Sequence, residues 1–152
     1  MGRRAAREIA MKLLYQFDIQ KENKREQFEY IISQNKVTNN DVKYLLDITE
    51  GVETYFQTLN EIIEKHIKGW TISRLSKVDL AILRLSTYEI KYRDDIPISV
   101  SINEAVELAK ELGSDKAYAF VNAVMGKIYN NQISKSGEGD VKFEIKGRGD
   151  TL

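Results

Sequence analysis

The chain has 152 residues, enough for one domain or two small subdomains that share a core. Its 23 basic and 23 acidic residues cancel, so a nucleic-acid site must come from uneven placement of charge. The lack of cysteine excludes disulfides and thiolate metal sites, and a single histidine excludes a multi-histidine metal site. The sequence shows neither a signal peptide nor a membrane-length apolar run, so we expect a cytoplasmic protein.

Helical periodicity dominates the sequence. A single proline and apolar residues spaced three and four apart predict an all-α fold of about seven helices. The first helix is expected from Arg3 to Ile19, with a core side formed by Ala6, Ile9, Leu13 and Phe17. Arg3, Arg4 and Arg7 fall within an arc of roughly 100° on another side. This face could hold an anion, or it could be a solvated helix end.

The second and third helices follow polar segments. The apolar residues of the second are Phe28, Ile31 and Ile32, and the candidate N-caps of the third are Asn39, Asn40 and Asp41. From residue 42 an apolar seam continues through Val42, Leu45, Thr49, Val52, Phe56, Leu59 and Ile63. Because glycine costs roughly 1 kcal/mol relative to alanine inside a helix, we expect a kink or break at Gly51.

The segment around residue 69 predicts a boundary between two helical-bundle subdomains of about 1–68 and 70–135. Gly69 suits a left-handed helix cap, and Trp70 is expected to fill the space between the subdomains. His66 is expected to lie at a helix C-terminus, where partial positive charge is tolerated.

The helix after Ser76 carries apolar residues on two nearly opposite sides, which predicts a central helix covered by several neighbours. Glu89 falls within one of these apolar faces. Because an unpaired buried carboxylate is costly, Glu89 should have a buried partner, such as an arginine or backbone amides. A structural role is favoured over a catalytic one.

Pro97 ends this helix, because proline disfavours helical geometry in the residue before it. Ser101 and Glu104 match the capping box of the next helix. In the last helix, spacing alone allows Phe120 to be either a core residue or an exposed ring. Residues 136–152 are glycine-rich and charged, and we predict a flexible tail there.

Four groups of residues stand in a specific order along the chain. They are Arg3-Arg4-Ala5-Ala6-Arg7-Glu8 with Leu14-Tyr15-Gln16; Trp70 with Arg74-Leu75 and the run from Asp79 to Arg84; Tyr88-Glu89; and Ile102 to Lys110 with Phe120-Val121-Asn122. In this order and spacing they resemble the NusB family of bacterial transcription antitermination factors, over roughly Arg3 to Ile133.

The resemblance implies an all-helical protein that is not an enzyme and uses neither cofactor nor metal. It implies binding of boxA RNA from ribosomal RNA transcripts, together with the small-subunit ribosomal protein that acts as NusE, within the transcription elongation complex. The implied RNA-binding residues are Arg3, Arg4, Arg7, Lys116 and Phe120. The implied partner-binding residues are Tyr15 and Asp79. The free protein could be a monomer or a homodimer.

Two positions depart from the family pattern. Some relatives carry an arginine where this chain has Ala5, and an acid where it has Lys116. These changes remove one positive charge and add another, so they alter the balance between intrinsic and partner-assisted RNA affinity.

Three other interpretations compete with this one. The first is a helical adaptor that binds only protein. The second is an RNA-binding module related to certain RNA cytosine methyltransferases, although the chain has no room for a cofactor domain and no cysteine nucleophile. The third is a metal-dependent or hydrolytic enzyme, but Asp94-Asp95 lies beside a turn, and the Glu107 and Glu111 spacing is typical of a solvated helix face.

Overall fold

The computed structural model describes residues 2–136, and these residues form seven α-helices without any strand. In chain order the helices are α1 (Arg3–Ile19), α2 (Lys24–Gln34), α3 (Asn39–Thr54), α4 (Phe56–Lys65), α5 (Lys77–Tyr92), α6 (Ile98–Leu112) and α7 (Ala117–Ser136). The predicted all-α fold is confirmed for this part of the chain. The tail predicted at 136–152 lies, from residue 137 onward, outside the described residues.

The central helix is α5. Twelve of its 16 residues are buried, and it contacts α1, α3, α4, α6 and α7. Ser76 caps its N-terminus by accepting the backbone N–H of Asp79 at 3.0 Å. The predicted central helix is therefore confirmed. The buried apolar residues of both proposed subdomains form one core cluster around α5. The division into subdomains of about 1–68 and 70–135 stays a prediction.

The start of α3 differs from the prediction in its capping residue. The cap is Thr38, and not Asn39, Asn40 or Asp41; the Thr38 hydroxyl accepts the Asp41 N–H at 3.1 Å. The Asp41 carboxylate accepts the Thr38 N–H in return, also at 3.1 Å. This reciprocal pair is a capping box, which satisfies two N–H groups that the helix leaves unpaired.

Gly51 lies inside α3 without ending it. The break between α3 and α4 occurs at Tyr55, so the predicted position of the break is wrong by one helical turn. The glycine has a different role: a Cβ atom at this position would overlap the ring of Tyr88 on α5. Gly51 therefore allows α3 and α5 to approach closely.

The connector between α4 and α5 includes the predicted left-handed turn, since Gly69 has a φ of 80°. Trp70 was expected to be a buried plug, and this is wrong: the residue is 49% exposed. Its ring lies 5.2 Å from the guanidinium carbon of Arg74. The buried apolar residue of this connector is Ile67.

His66 ends α4, as expected, but it is also a buried link to α7. Its Nε2 lies 2.6 Å from the side-chain amide nitrogen of Asn131, and its Nδ1 lies 2.6 Å from the carbonyl oxygen of Ile62. A ring with its proton on Nδ1 satisfies both contacts, because it donates to the carbonyl and accepts from the amide. Among residues 2–136, no helix is long and apolar enough to cross a membrane.

Candidate nucleic-acid interface

The three arginines of α1 lie in different environments. Arg3 and Arg4 are exposed in the first turn, which carries no acidic residue. Arg7 is only 4% exposed. The sequence grouped all three arginines on a face that could hold an anion or form a solvated helix end, and for Arg7 this prediction is wrong. The physical reason is that α1 packs closely on α5, and this contact covers the side of the helix that bears Arg7.

Arg7 forms a buried ion pair with Glu89 of α5. Its Nε donates to Glu89 Oε2 at 3.0 Å, and its Nη2 donates to Oε1 at 3.0 Å. Ser101 of α6 donates to Glu89 Oε1 at 2.8 Å, and the Tyr44 hydroxyl of α3 donates to Oε2. The predicted buried partner of Glu89 is confirmed. Because its members come from α1, α3, α5 and α6, this Arg7 cluster holds four helices together.

Burial and charge both act on the Arg7 cluster. Burial lowers the pKa of the Arg7 guanidinium, but the Glu89 carboxylate outweighs it, so the pKa is raised overall. Burial and the same carboxylate raise the pKa of Tyr44 well above its ordinary value. Arg7 is therefore a permanent cation whose charge is neutralised inside the protein.

Arg4 is held by a carboxylate at the surface. Its Nε and Nη2 donate to the two carboxylate oxygens of Glu104 at 2.9 and 2.8 Å. The Arg4 side chain is 66% exposed, whereas that of Glu104 is only 12% exposed. The hydrogen bond with Glu104 and the negative charge of Glu104 raise the pKa of Arg4, burial opposes them in part, and the charges of Glu107 and Glu111 add to the rise. Arg4 thus faces three carboxylates on α6.

The contact of Arg4 with Glu104 corrects the predicted capping box of α6. The helix begins at Ile98, directly after Pro97, so Ser101 lies inside it instead of capping it. Proline is well suited to the start of a helix because its fixed φ fits and its missing N–H needs no partner. The Ser101 hydroxyl is then free to donate to Glu89, and the Glu104 carboxylate is free to bind Arg4.

Arg3 is the third guanidinium of this group, and it lies against an aromatic ring. Its guanidinium carbon is 4.5 Å from the centroid of Tyr44, a cation–π geometry. Gly2 precedes α1 and gives it no side-chain cap, so N–H groups of the first turn remain available to an anion. Arg3, Arg4 and these N–H groups form what we call the α1 end.

Lys116 and Phe120 lie on a different element. Lys116 is exposed in the turn before α7 and has a φ of 62°, in the left-handed region. Phe120 lies one turn into α7, half-buried against the core. Both alternatives for Phe120 hold in part, because one portion of its ring packs inward and the rest is accessible. The predicted RNA-binding residues therefore lie on two segments, the start of α1 and residues 116–120 at the start of α7.

The two residues expected to bind a protein partner are also not equally accessible. Tyr15 is half-buried, with part of its ring against the core. Asp79 is 6% exposed. Its Oδ2 accepts the hydroxyl of Ser114 at 2.8 Å, and its Oδ1 accepts the backbone N–H of Ser114 at 3.3 Å. The Asp79 carboxylate is thus directed into the turn between α6 and α7.

Sequence reasoning missed two residues of this interface. Glu104 binds Arg4, and Ser114 binds Asp79. The partners lie 100 and 35 residues apart in sequence, so no local spacing could pair them. One signal was present for Glu104, because Pro97 indicated an earlier helix start and so released this carboxylate from a capping role.

Among the described residues, no group of three or more histidine and acidic side chains could hold a metal ion. The arrangement of the α1 end can bind an anion at a helix start, provided that the carboxylates of α6 are displaced or screened.

Comparisons with known proteins match this architecture. The model of the NusB family covers residues 4–130 of the chain. The transcription antitermination protein NusB of Acetivibrio thermocellus is 52% identical over 128 residues, which cover 84% of this chain and 88% of that protein. The NusB of Ruminiclostridium cellulolyticum is 53% identical over 133 residues, covering 88% and 92%.

Solved structures agree with the sequence comparisons. T. maritima NusB superposes with a TM-score of 0.79 at 30% identity, covering 84% of this chain and 90% of that one. A chain from a crystal structure of the antitermination factors NusB and NusE in complex with dsRNA gives a TM-score of 0.77 at 28% identity, covering 85% and 96%.

Proposed function

The chain belongs to the NusB family, and we propose that it is a transcription antitermination factor that binds boxA-type single-stranded RNA of ribosomal RNA transcripts. In this proposal it acts together with the small-subunit ribosomal protein that serves as NusE. Its place is the transcription elongation complex in the cytoplasm, and it needs neither catalytic residues nor a cofactor.

The proposal rests on one observation, the exposed and bidentate pairing of the Arg4 guanidinium. Its guanidinium is the exposed member of a bidentate pair at a helix N-terminus, and a phosphate offers the same two-oxygen geometry as the carboxylate that now occupies it. A backbone phosphate can therefore replace Glu104 without any change in the arginine. We assign Arg3, an exposed guanidinium beside Tyr44, to a second phosphate contact.

We assign the other residues by their accessibility. Lys116 is exposed and suits a phosphate contact, and the accessible part of Phe120 suits stacking with a base, worth about 1 to 3 kcal/mol. Arg7 supports RNA binding by holding α1 in place, since its own guanidinium is occupied by Glu89. Tyr15 is half-buried and can offer the accessible part of its ring to the ribosomal partner.

Titration of a labelled boxA-type RNA tests the proposal. The protein alone and its mixture with the ribosomal partner are each titrated at two salt concentrations, with a scrambled RNA of the same composition as control. We expect binding that weakens as salt rises, because phosphate contacts release counterions, and that strengthens when the partner is added. A helical protein that binds neither RNA in either form would overturn the proposal.

The pairing of Arg4 with Glu104 also supports a second candidate, a helical adaptor that binds only protein. Two of the three arginines of α1 are neutralised by glutamates, which weakens the field available to RNA. The adaptor predicts binding of the ribosomal partner without RNA affinity even in the assembled pair. The titration above separates the two functions directly. Sedimentation of the free protein decides between the monomer and the homodimer.

A further inference from the structure

Asp79 sits at the third position of α5 and reaches across to another part of the chain. Its own N–H is held by the cap residue Ser76. Its carboxylate does not return to the cap; it accepts both the hydroxyl and the backbone N–H of Ser114. A side chain on the central helix thus determines where the turn after α6 lies.

This turn is short and tightly packed. It spans residues 113–116, between the end of α6 and the start of α7. A Cβ atom at Gly113 would lie 2.9 Å from Asp79 Oδ1, 2.8 Å from the Ala109 carbonyl oxygen and 2.9 Å from the Ala117 Cβ. The turn therefore lies directly against the Asp79 carboxylate, without room for a larger residue.

Lys116 ends the turn in a conformation that requires support. Its φ of 62° is in the left-handed region, which lysine adopts at a cost because its Cβ approaches the carbonyl oxygen. Such a conformation persists only when the surrounding structure holds it. The bonds from Asp79 to Ser114, two residues earlier, provide that support.

We propose that Asp79 is a positioning residue of the RNA site, which fixes the turn that presents Lys116 and Phe120. The inference rests on the proposed function. Asp79 is 6% exposed, whereas Ser114 and Lys116 are exposed, so its carboxylate offers little surface to a partner protein.

Three variants separate positioning from a direct partner contact. Asp79→Ala removes both acceptors of the Ser114 bonds. Asp79→Asn removes the charge but keeps an acceptor for the Ser114 N–H, and its amide can donate to the Ser114 hydroxyl. Ser114→Ala removes only the hydroxyl. Asp115→Ala is the matched control, because it removes an exposed carboxylate from the same turn.

RNA titration of the isolated protein gives the first readout. We expect Asp79→Ala to weaken boxA-type RNA binding roughly tenfold, because two bonds to a charged acceptor are lost. Ser114→Ala should weaken it a few-fold, and Asp79→Asn should remain near the original affinity. Loss of negative charge alone would strengthen RNA binding, as expected for Asp115→Ala, so the sign of the change distinguishes positioning from electrostatics.

Hydrogen exchange of the turn gives the second readout, which needs no RNA. The amides of residues 114–116 should exchange faster in Asp79→Ala and Ser114→Ala than in the original protein. Their exchange rates in Asp79→Asn should equal those of the original protein. If Asp79→Ala fails to fold, the RNA titration and the hydrogen exchange are both measured on Ser114→Ala. Unchanged exchange, or RNA affinity lost equally in Asp79→Ala and Asp79→Asn, overturns the inference. If the exchange rates change as expected but the original protein binds no boxA-type RNA, either alone or with the ribosomal partner, the proposed function is overturned instead.

Discussion

Two arginines one turn apart on α1 each pair with a glutamate of another helix, but the two pairs differ in their burial and in their role. Arg7 and Glu89 have side chains that are 5% and 1% exposed, and hydroxyl groups satisfy the remaining carboxylate bonds. Arg4 and Glu104 make equally short bonds, but the Arg4 side chain is 66% exposed. The buried pair determines how four helices pack, whereas the exposed pair can exchange its carboxylate for another anion. Burial, not bond length, decides which pair is structural.

Removal of Glu89 should have the largest effect. Glu89→Ala leaves the Arg7 cation buried without its partner and deprives Tyr44 and Ser101 of their acceptor. We expect a loss of about 3 to 5 kcal/mol in the free energy of unfolding, measured by urea denaturation. Glu104→Ala is the matched variant at the exposed pair and should cost only a small fraction of this. Equal losses from the two variants would contradict the comparison.

Removal of Arg4 should change RNA binding while the fold remains stable. Arg4→Ala deletes a charge-assisted phosphate contact, so we expect roughly tenfold weaker binding of boxA-type RNA and a salt slope smaller by about one. Lys12→Ala is the control, since Lys12 is exposed two turns further along α1 and pairs with Glu8. Arg4→Ala binding that matches the control would show that the exposed pair has no part in RNA recognition.

Neutralising Glu104 should have a smaller effect of the opposite sign. Glu104→Gln removes the anion that competes with phosphate for the Arg4 guanidinium, so RNA affinity should rise roughly two- to fivefold. Glu111→Gln should raise it less, because Glu111 acts on Arg4 by charge alone, without a hydrogen bond. A loss of affinity in Glu104→Gln would mean that this carboxylate orients Arg4 for RNA.

The smallest effect concerns pH. The hydrogen bond with Arg4, opposed in part by burial, holds the pKa of Glu104 below its ordinary value of 4.5. A depressed carboxyl pKa stabilises the fold above the unfolded value, and this contribution disappears as pH falls through the lowered value. The difference in free energy of unfolding between the original protein and Glu104→Gln should therefore be fully present at about pH 6 and smaller at about pH 4, below the ordinary pKa of 4.5. Denaturation at both pH values measures it.

The helices themselves could be predicted because their signals are local. Apolar spacing predicted the central helix α5, and the position of Glu89 within its apolar face predicted a buried partner. Local reasoning failed at details that depend on neighbours. The helix breaks at Tyr55 instead of Gly51, and the glycine instead makes room for Tyr88, which lies 37 residues away and on another helix.

The candidate site could be predicted only as a set of residues. Periodicity grouped Arg3, Arg4 and Arg7 on one arc, but the packing of α5 against that arc buried the last of them. Spacing left Phe120 undecided between core and surface, and the structure places it half-buried. Trp70 was expected inside and lies outside. These outcomes depend on which helix covers which face.

The sequence alone determined the helical class, the central helix and the need for a partner at Glu89, because backbone hydrogen bonds and apolar periodicity act over a few residues. It also carried the resemblance to one family. The tertiary structure decided which arginine became internal and which carboxylates held Arg4 and Ser114. The reason is that burial and ion pairing are set by side chains that the fold brings together from distant parts of the chain.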